Sequence, residues 1–189
     1  VEVDQYLQRG QLTILSSDKA YMPAGRFEPE RMIALLRSET EQAVGERYRA
    51  LRVTGEMSWA LKGLPGSDRI VEYEAKLNTF FPGSQCLAIC QYDRRQFDPR
   101  VLLEVLETHP LAVIGTEIYD NFYYMPPQDF FGAHPVTAKL DSWLNHLKDR
   151  KRSETQIRTL TRKLMKTQEA SSSSATLSPT IQGRWRRGG

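Results

Sequence analysis

The sequence predicts an α/β fold: a mostly parallel sheet with flanking helices, followed by a long C-terminal helix and a disordered tail. Three observations carry this reading. Short apolar runs alternate with stretches whose apolar residues recur at helical spacing. Three of the runs are unbroken in hydrophobicity, as suits parallel strands covered on both faces. From about residue 135 a single polar, helix-forming stretch replaces that rhythm.

The elements follow in order. Leu12 to Leu15 is the first apolar run and the first expected strand. Phe27-Glu28-Pro29 then opens a helix with proline in its first turn, and Met32, Leu35, Leu36, Ala43 and Val44 follow at helical spacing. The second run is Ala50 to Thr54. Gly63-Leu64-Pro65-Gly66 reads as a turn and Ser67 as an N-cap, ahead of a helix striped by Ile70, Tyr73, Leu77 and Phe80. Pro82-Gly83 stops that helix. Cys86 to Cys90 is the third run. Asp98-Pro99 opens a helix with Val101, Leu102, Val105 and Leu106 on one side, His109-Pro110 ends it, and Leu111 to Ile114 is the fourth run.

Tyr119 to Pro127 is aromatic and turn-rich, which reads as a loop held down by its rings, or else as a ligand lid. A polar helix is expected from Thr137 to about Ala170. Leu140, Leu147, Ile157 and Leu164 take heptad-like positions, but Arg150, Glu154, Thr161 and Gln168 fill the other core slots, so any coiled coil is poor. The serine run from Ser171 begins a tail of disordered composition. The expected division is therefore 1–134, 135–170 and 171–189.

The totals exclude several classes. With 189 residues, 40% of them hydrophobic, the chain has material for one core and an appendage. The net charge of +3 is mild and does not describe a nucleic-acid binder. No apolar run approaches the ~18 residues that span a bilayer, and no signal peptide is evident. Val1 is not a start methionine, which reads as processing or a fragment. Cys86 and Cys90 share one face of their strand roughly 13 Å apart, beyond the ~7 Å that a disulfide spans. Two buried, reduced thiols fit a cytoplasmic protein.

Chemistry in a parallel sheet collects beyond the carboxyl ends of its strands. A ligand site there would draw on Glu56, Trp59, Gln91, Tyr92 and Asp93. The alternative reading pairs Glu56 and Asp93 with Arg52, Arg94 or Arg95 in ordinary salt bridges. Glu74 lies on the apolar side of its helix, where a carboxylate needs a partner, and reads as a structural ion pair. No phosphate-binding glycine loop and no G-x-S-x-G occurs. His109, His134 and His146 are scattered and show no metal-ligand spacing. No catalytic residue, metal ligand or cofactor is assigned.

Several strings together resemble one family. They are Gly10-Gln-Leu12, Arg52-Val-Thr-Gly-Glu-Met-Ser-Trp59, Glu72-Tyr-Glu-Ala-Lys-Leu-Asn78 with Phe80-Phe-Pro82, Cys90-Gln-Tyr-Asp-Arg-Arg95 with Phe97, Thr108-His-Pro110 and Tyr123-Tyr-Met-Pro-Pro127. In this order they resemble the MEDS domain, the sensory domain of methanogens, methylotrophs and DcmR-type regulators, over roughly residues 1–131. The resemblance implies an intracellular prokaryotic sensor of small, hydrocarbon-derived ligands, fused to a histidine kinase or a DNA-binding regulator. It implies a sheet related to the RecA/KaiC type, incomplete here, since the family domain begins with a further strand–helix–strand segment ahead of Val1.

Ile157 to Glu169 is similar to the lead-in to the dimerisation helix of sensor histidine kinases, which implies a homodimer through the C-terminal helix. The phosphoacceptor string of that family does not follow; Ala170 and the serines stand in its place. The chain is thus expected to be a signal-input module and not an enzyme. The competing expectation is a degenerate KaiC-like domain that binds or hydrolyses a nucleotide with Glu56 as base.

Overall fold

The structure, a computed structural model, describes residues 2–174, with side chains through residue 169. Those residues fall into two units that divide between Ser142 and Trp143.

The first unit opens with two short helices, α1 (Val3–Gln8) and α2 (Ser17–Ala20). Helix α3 (Pro29–Gly45) starts where expected, with proline in its first turn and Met32, Leu36 and Thr40 buried. Strand β1 (Leu51–Glu56) leads through a short 3-10 turn, Ser58–Lys62, and a second, Ser67–Arg69, into helix α4 (Ile70–Phe80). All four stripe residues of α4, Ile70, Tyr73, Leu77 and Phe80, are buried. Ser67 does not cap this helix: its hydroxyl turns back and donates to the Leu64 carbonyl at 2.7 Å.

Strand β2 (Cys86–Gln91) follows, then helix α5 (Pro99–Glu107), whose N-cap Asp98 accepts from the Arg100 amide at 2.8 Å. Next come β3 (Leu111–Ile114), β4 (Glu117–Asp120) and the short helix α6 (Pro127–Phe130). Helix α7 (Pro135–Ser174) is 40 residues long. It runs through Ser174, so the serine run belongs to the helix as far as that residue. The remainder of the tail expected to be disordered lies outside the described residues.

The sheet is smaller than the rhythm of the sequence implied. β1 and β2 pair in parallel, from Leu51 opposite Cys86 to Glu56 opposite Gln91. Leu12 to Leu15, expected as a strand, forms none. Its Ile14 is 73% exposed, so hydrophobicity found no neighbour to pair with. Leu111 to Ile114 is a strand, but it joins β4 in an antiparallel hairpin instead of extending the parallel pair. The reason is local. Gly115 has a φ of 65° and opens a two-residue loop with Thr116, and glycine at the first loop position suits a type II′ hairpin turn.

The core lies on one side of β1 and β2. It gathers Met22, Phe27, Met32, Leu36, Met57, Trp59, Ile70, Tyr73, Leu77, Phe80 and Phe97. Burial of each large member contributes about 2–3 kcal/mol. Tyr21 stacks on Trp59 at 4.7 Å, and Phe27 meets Trp59 at 4.6 Å and Tyr73 edge-on at 5.4 Å. Two glycines permit this packing. A Cβ on Gly66, whose φ is 85°, would meet the Phe27 carbonyl oxygen at 2.1 Å; one on Gly55 would meet the Tyr21 hydroxyl at 2.2 Å. The opposite face of the pair carries Arg52, Thr54, Glu56, Leu87, Ile89 and Gln91, and Leu87 and Ile89 remain 57% and 49% exposed. Among the described residues this sheet is therefore covered on one face, against the two expected.

The second unit is the helical stretch from Trp143. Leu147, Ile157, Leu160 and Leu164 along it are all exposed. No described helix is long and apolar enough to cross a membrane.

Candidate functional site

Helix α4 places Glu74 on its apolar side, and the side chain is fully buried. A carboxylate so placed must be met by donors. Strand β2 supplies the first: the Cys90 thiol donates to Glu74 Oε2 at 3.3 Å. The next residue but one supplies the second, as the Tyr92 hydroxyl donates to Glu74 Oε1. The turn after α5 supplies the third, with His109 Nε2 at 3.3 Å from Oε2.

His109 is held from several sides. Its Nδ1 lies 2.8 Å from the Val105 carbonyl oxygen and 3.2 Å from Thr108 Oγ1. Asn78, one turn along α4 from Glu74, donates to the Thr108 carbonyl at 2.6 Å and to the Glu74 carbonyl at 3.1 Å. Asn121, just past β4, donates to the carbonyls of Leu106 at 2.6 Å and His109 at 2.7 Å. The histidine turn is thus tied to α4 on one side and to the hairpin on the other.

The electrostatics follow from burial and contact. Burial pushes the Cys90 thiol well above its usual range, and the Glu74 charge adds to it. Burial, then the Glu74 charge, likewise pushes the Tyr92 phenol up. Burial works against the His109 imidazolium, but the Glu74 carboxylate and the Val105 carbonyl outweigh it and hold the ring above its ordinary value. A carboxylate can only accept, so the Cys90 thiol, the Tyr92 phenol and the His109 ring all aim their donors at Glu74.

Three members of the cluster, Glu74, Cys90 and His109, line a cleft of about 470 Å³. Leu77, Phe81, Pro82, Leu87, Pro110 and Leu111 supply its apolar wall, and Glu74, Cys86, Cys90 and His109 are among its ionisable groups. Tyr124, from the aromatic stretch read as a packed loop or a lid, also lines it.

The five residues proposed from the sequence do not converge. Glu56 closes on its own turn, accepting from the Ser58 amide at 2.9 Å and the Ser58 hydroxyl at 2.6 Å. Trp59 is buried in the core, and its Nε1 has no hydrogen-bond partner. Gln91 donates to Thr54 Oγ1 at 2.9 Å on the bare face of the sheet. Asp93 binds the Arg95 guanidinium at 2.9 and 2.8 Å and accepts from Gln96 at 2.9 Å, and these bonds hold its carboxyl well below the usual range. That contact is the salt bridge of the alternative reading. Tyr92 reaches the Glu74 cluster. Of the cluster's other members, Glu74 stood out in the sequence as an inward carboxylate needing a partner, but Cys90 and His109 carried no local signal that they would meet it.

A family model described as "MEthanogen/methylotroph, DcmR Sensory domain" (MEDS) matches residues 1–110, a span that includes Glu74, Cys90, Tyr92 and His109. The match stops short of residue 131 and does not extend to α7. No curated protein and no solved structure matches the chain.

Proposed function

The chain belongs to the MEDS family of sensory domains, and from that premise we propose that it binds a small organic ligand as the input module of a prokaryotic signal-transduction protein. The family is a sensory one, not a catalytic one. The observation that carries the proposal is the cleft: an apolar wall into which Glu74, Cys90 and His109 converge, with Tyr92 hydrogen-bonded to Glu74. A concave apolar site with a few convergent polar groups is the ordinary form of a small-molecule site. It favours a compact, mostly apolar ligand with one hydrogen-bonding head, such as a short-chain alcohol, thiol or amine. That class agrees with the hydrocarbon-derived ligands expected from the resemblance.

On this reading the output is a histidine kinase or a transcriptional regulator in the cytoplasm, fused to the chain or bound to it. Helix α7 is the connecting element and the seam of a homodimer. Its exposed Leu147, Ile157, Leu160 and Leu164 are suited to a second helix. The ligand shifts the output only through unequal affinity for two arrangements of the protein.

A thermal-shift screen of the full chain with short-chain alcohols, thiols and amines tests the proposal. A ligand at a hundred times its dissociation constant stabilises the folded state by about 2.7 kcal/mol. The expected result is a rise in melting temperature for at least one of these classes, lost in Leu87→Glu, which puts a charge on the cleft wall. Absence of a shift with all three classes, or a shift that Leu87→Glu leaves intact, overturns it.

A further inference from the structure

Glu74, Cys90 and His109 each offer one metal-ligating atom, and the three atoms lie within 4.8 Å of one another. Glu74 Oε2 stands 3.3 Å from Cys90 Sγ and 3.3 Å from His109 Nε2. A tetrahedral zinc ion with its sulfur at about 2.3 Å and its nitrogen and oxygen at about 2.0–2.1 Å sets sulfur and oxygen about 3.5 Å apart, and nitrogen and oxygen about 3.3 Å apart. Two edges of such a tetrahedron are therefore already in place.

We propose that Glu74, Cys90 and His109 form a binding site for a zinc-class divalent ion, with the fourth coordination position facing the cleft. The donor set, one carboxylate, one thiolate and one imidazole, suits an ion of borderline softness and excludes magnesium and calcium, which require oxygen. The surroundings are those of a metal site. Tyr92 donates to the other carboxylate oxygen, and Nδ1 of His109 is directed at the Val105 carbonyl, leaving Nε2 as the ligating nitrogen.

Charge balances in the loaded site: a carboxylate, a thiolate, a neutral imidazole and two positive charges sum to zero. Any proton on Cys90 or His109 passes to solvent as the ion binds. An ion there would give a ligand's hydroxyl, thiol or amine head a site for direct coordination from the cleft.

This inference deepens the reading of the cleft as the ligand site and rests on that reading for its role. Its test needs no organic ligand, so the two can fail separately. Cobalt(II), as a spectroscopic substitute for zinc, is titrated into the full chain stripped with chelator. The expected result is a one-to-one complex with the intense visible bands of a tetrahedral ion and a thiolate-to-cobalt charge-transfer band, displaced by zinc. Cys90→Ser is expected to abolish the charge-transfer band, and Cys86→Ser to keep it. Tyr92→Phe is expected to weaken binding about ten- to a hundredfold, the usual cost of losing an outer partner. The wild-type spectrum stands even where a variant fails to fold. An octahedral spectrum or no binding in the wild type overturns the proposal, as does a charge-transfer band that survives Cys90→Ser.

Discussion

Replacing Glu74 by leucine removes the buried acceptor on which three half-buried donors converge. The Glu74 side chain is fully buried, while that of His109 is 27% exposed, so water replaces the lost acceptor for the histidine only in part. Breaking a buried ion pair by removing one partner costs about 3–5 kcal/mol, because the surviving charge is left uncompensated. His109 escapes part of that cost by giving up its proton, and its Nδ1 keeps the Val105 carbonyl. Cys90 and Tyr92 lose their acceptor as well, at about 1–3 kcal/mol for each buried group left unpaired. A loss of about 3–4 kcal/mol follows for Glu74→Leu. Glu74→Gln keeps an oxygen for Tyr92 and gives the neutral imidazole a donor, so about 1–2 kcal/mol is expected. His109→Leu alone leaves the carboxylate buried and costs as much as Glu74→Leu. The double variant, with both charges gone, costs less than the sum by about 1–3 kcal/mol. Urea denaturation followed by circular dichroism measures all four. A Glu74→Leu cost below 1 kcal/mol, or strict additivity in the double variant, would show that no buried, coupled cluster exists.

Two further outcomes test the fold around the site. Gly66→Ala sets a Cβ 2.1 Å from the Phe27 carbonyl oxygen at a φ of 85°, and with about 1–3 kcal/mol for the backbone conformation alone the melting temperature falls; an unchanged value would contradict the close approach. Acid acts through the α4 surface, where Arg69 first, then Lys76, pull the Glu72 carboxyl from 4.5 to about 2. Because that value is depressed, the contribution is complete above pH 4.5 and fades as pH falls towards 2. The side chains are partly exposed, so solvent screening keeps the contribution small. Arg69→Ala is therefore expected to destabilise at pH 6 and to match the wild type near pH 2, and an equal deficit at both would refute the linkage.

Helices α3, α4 and α5 were legible in the sequence from their apolar stripes, helped in α3 and α5 by a first-turn proline, whereas α1, α2 and α6 carried no such stripe. In α3 a first-turn proline agrees with buried Met32 and Leu36; in α5 Asp98 caps and Pro99 follows; in α4 the whole Ile70 to Phe80 stripe is buried. The strands were legible only as apolar runs, and a run does not say whom it pairs with. Leu12 to Leu15 found no partner, and the Gly115-Thr116 turn drew Leu111 to Ile114 into a hairpin. The site suffered from the same gap. Glu56, Gln91 and Asp93 were nominated because open parallel sheets bind at their strand ends. With two strands, the concavity instead opens between α4, β2 and the turn after α5. Glu74 was recognisable as a carboxylate in need of a partner. That the partner was His109 depends on Asn78 and Asn121 fixing a turn distant in sequence.

The central claim, that the cleft at the Glu74 cluster is where a ligand enters, is most directly tested by amide chemical shifts of the full chain in solution. The best stabiliser from the thermal screen is titrated and the perturbed amides are assigned. Saturable shifts are expected at Leu87, Cys90, Tyr92, His109 and Leu111. Shifts centred on Glu56, Trp59 and Asp93, with the Glu74 cluster silent, would contradict it.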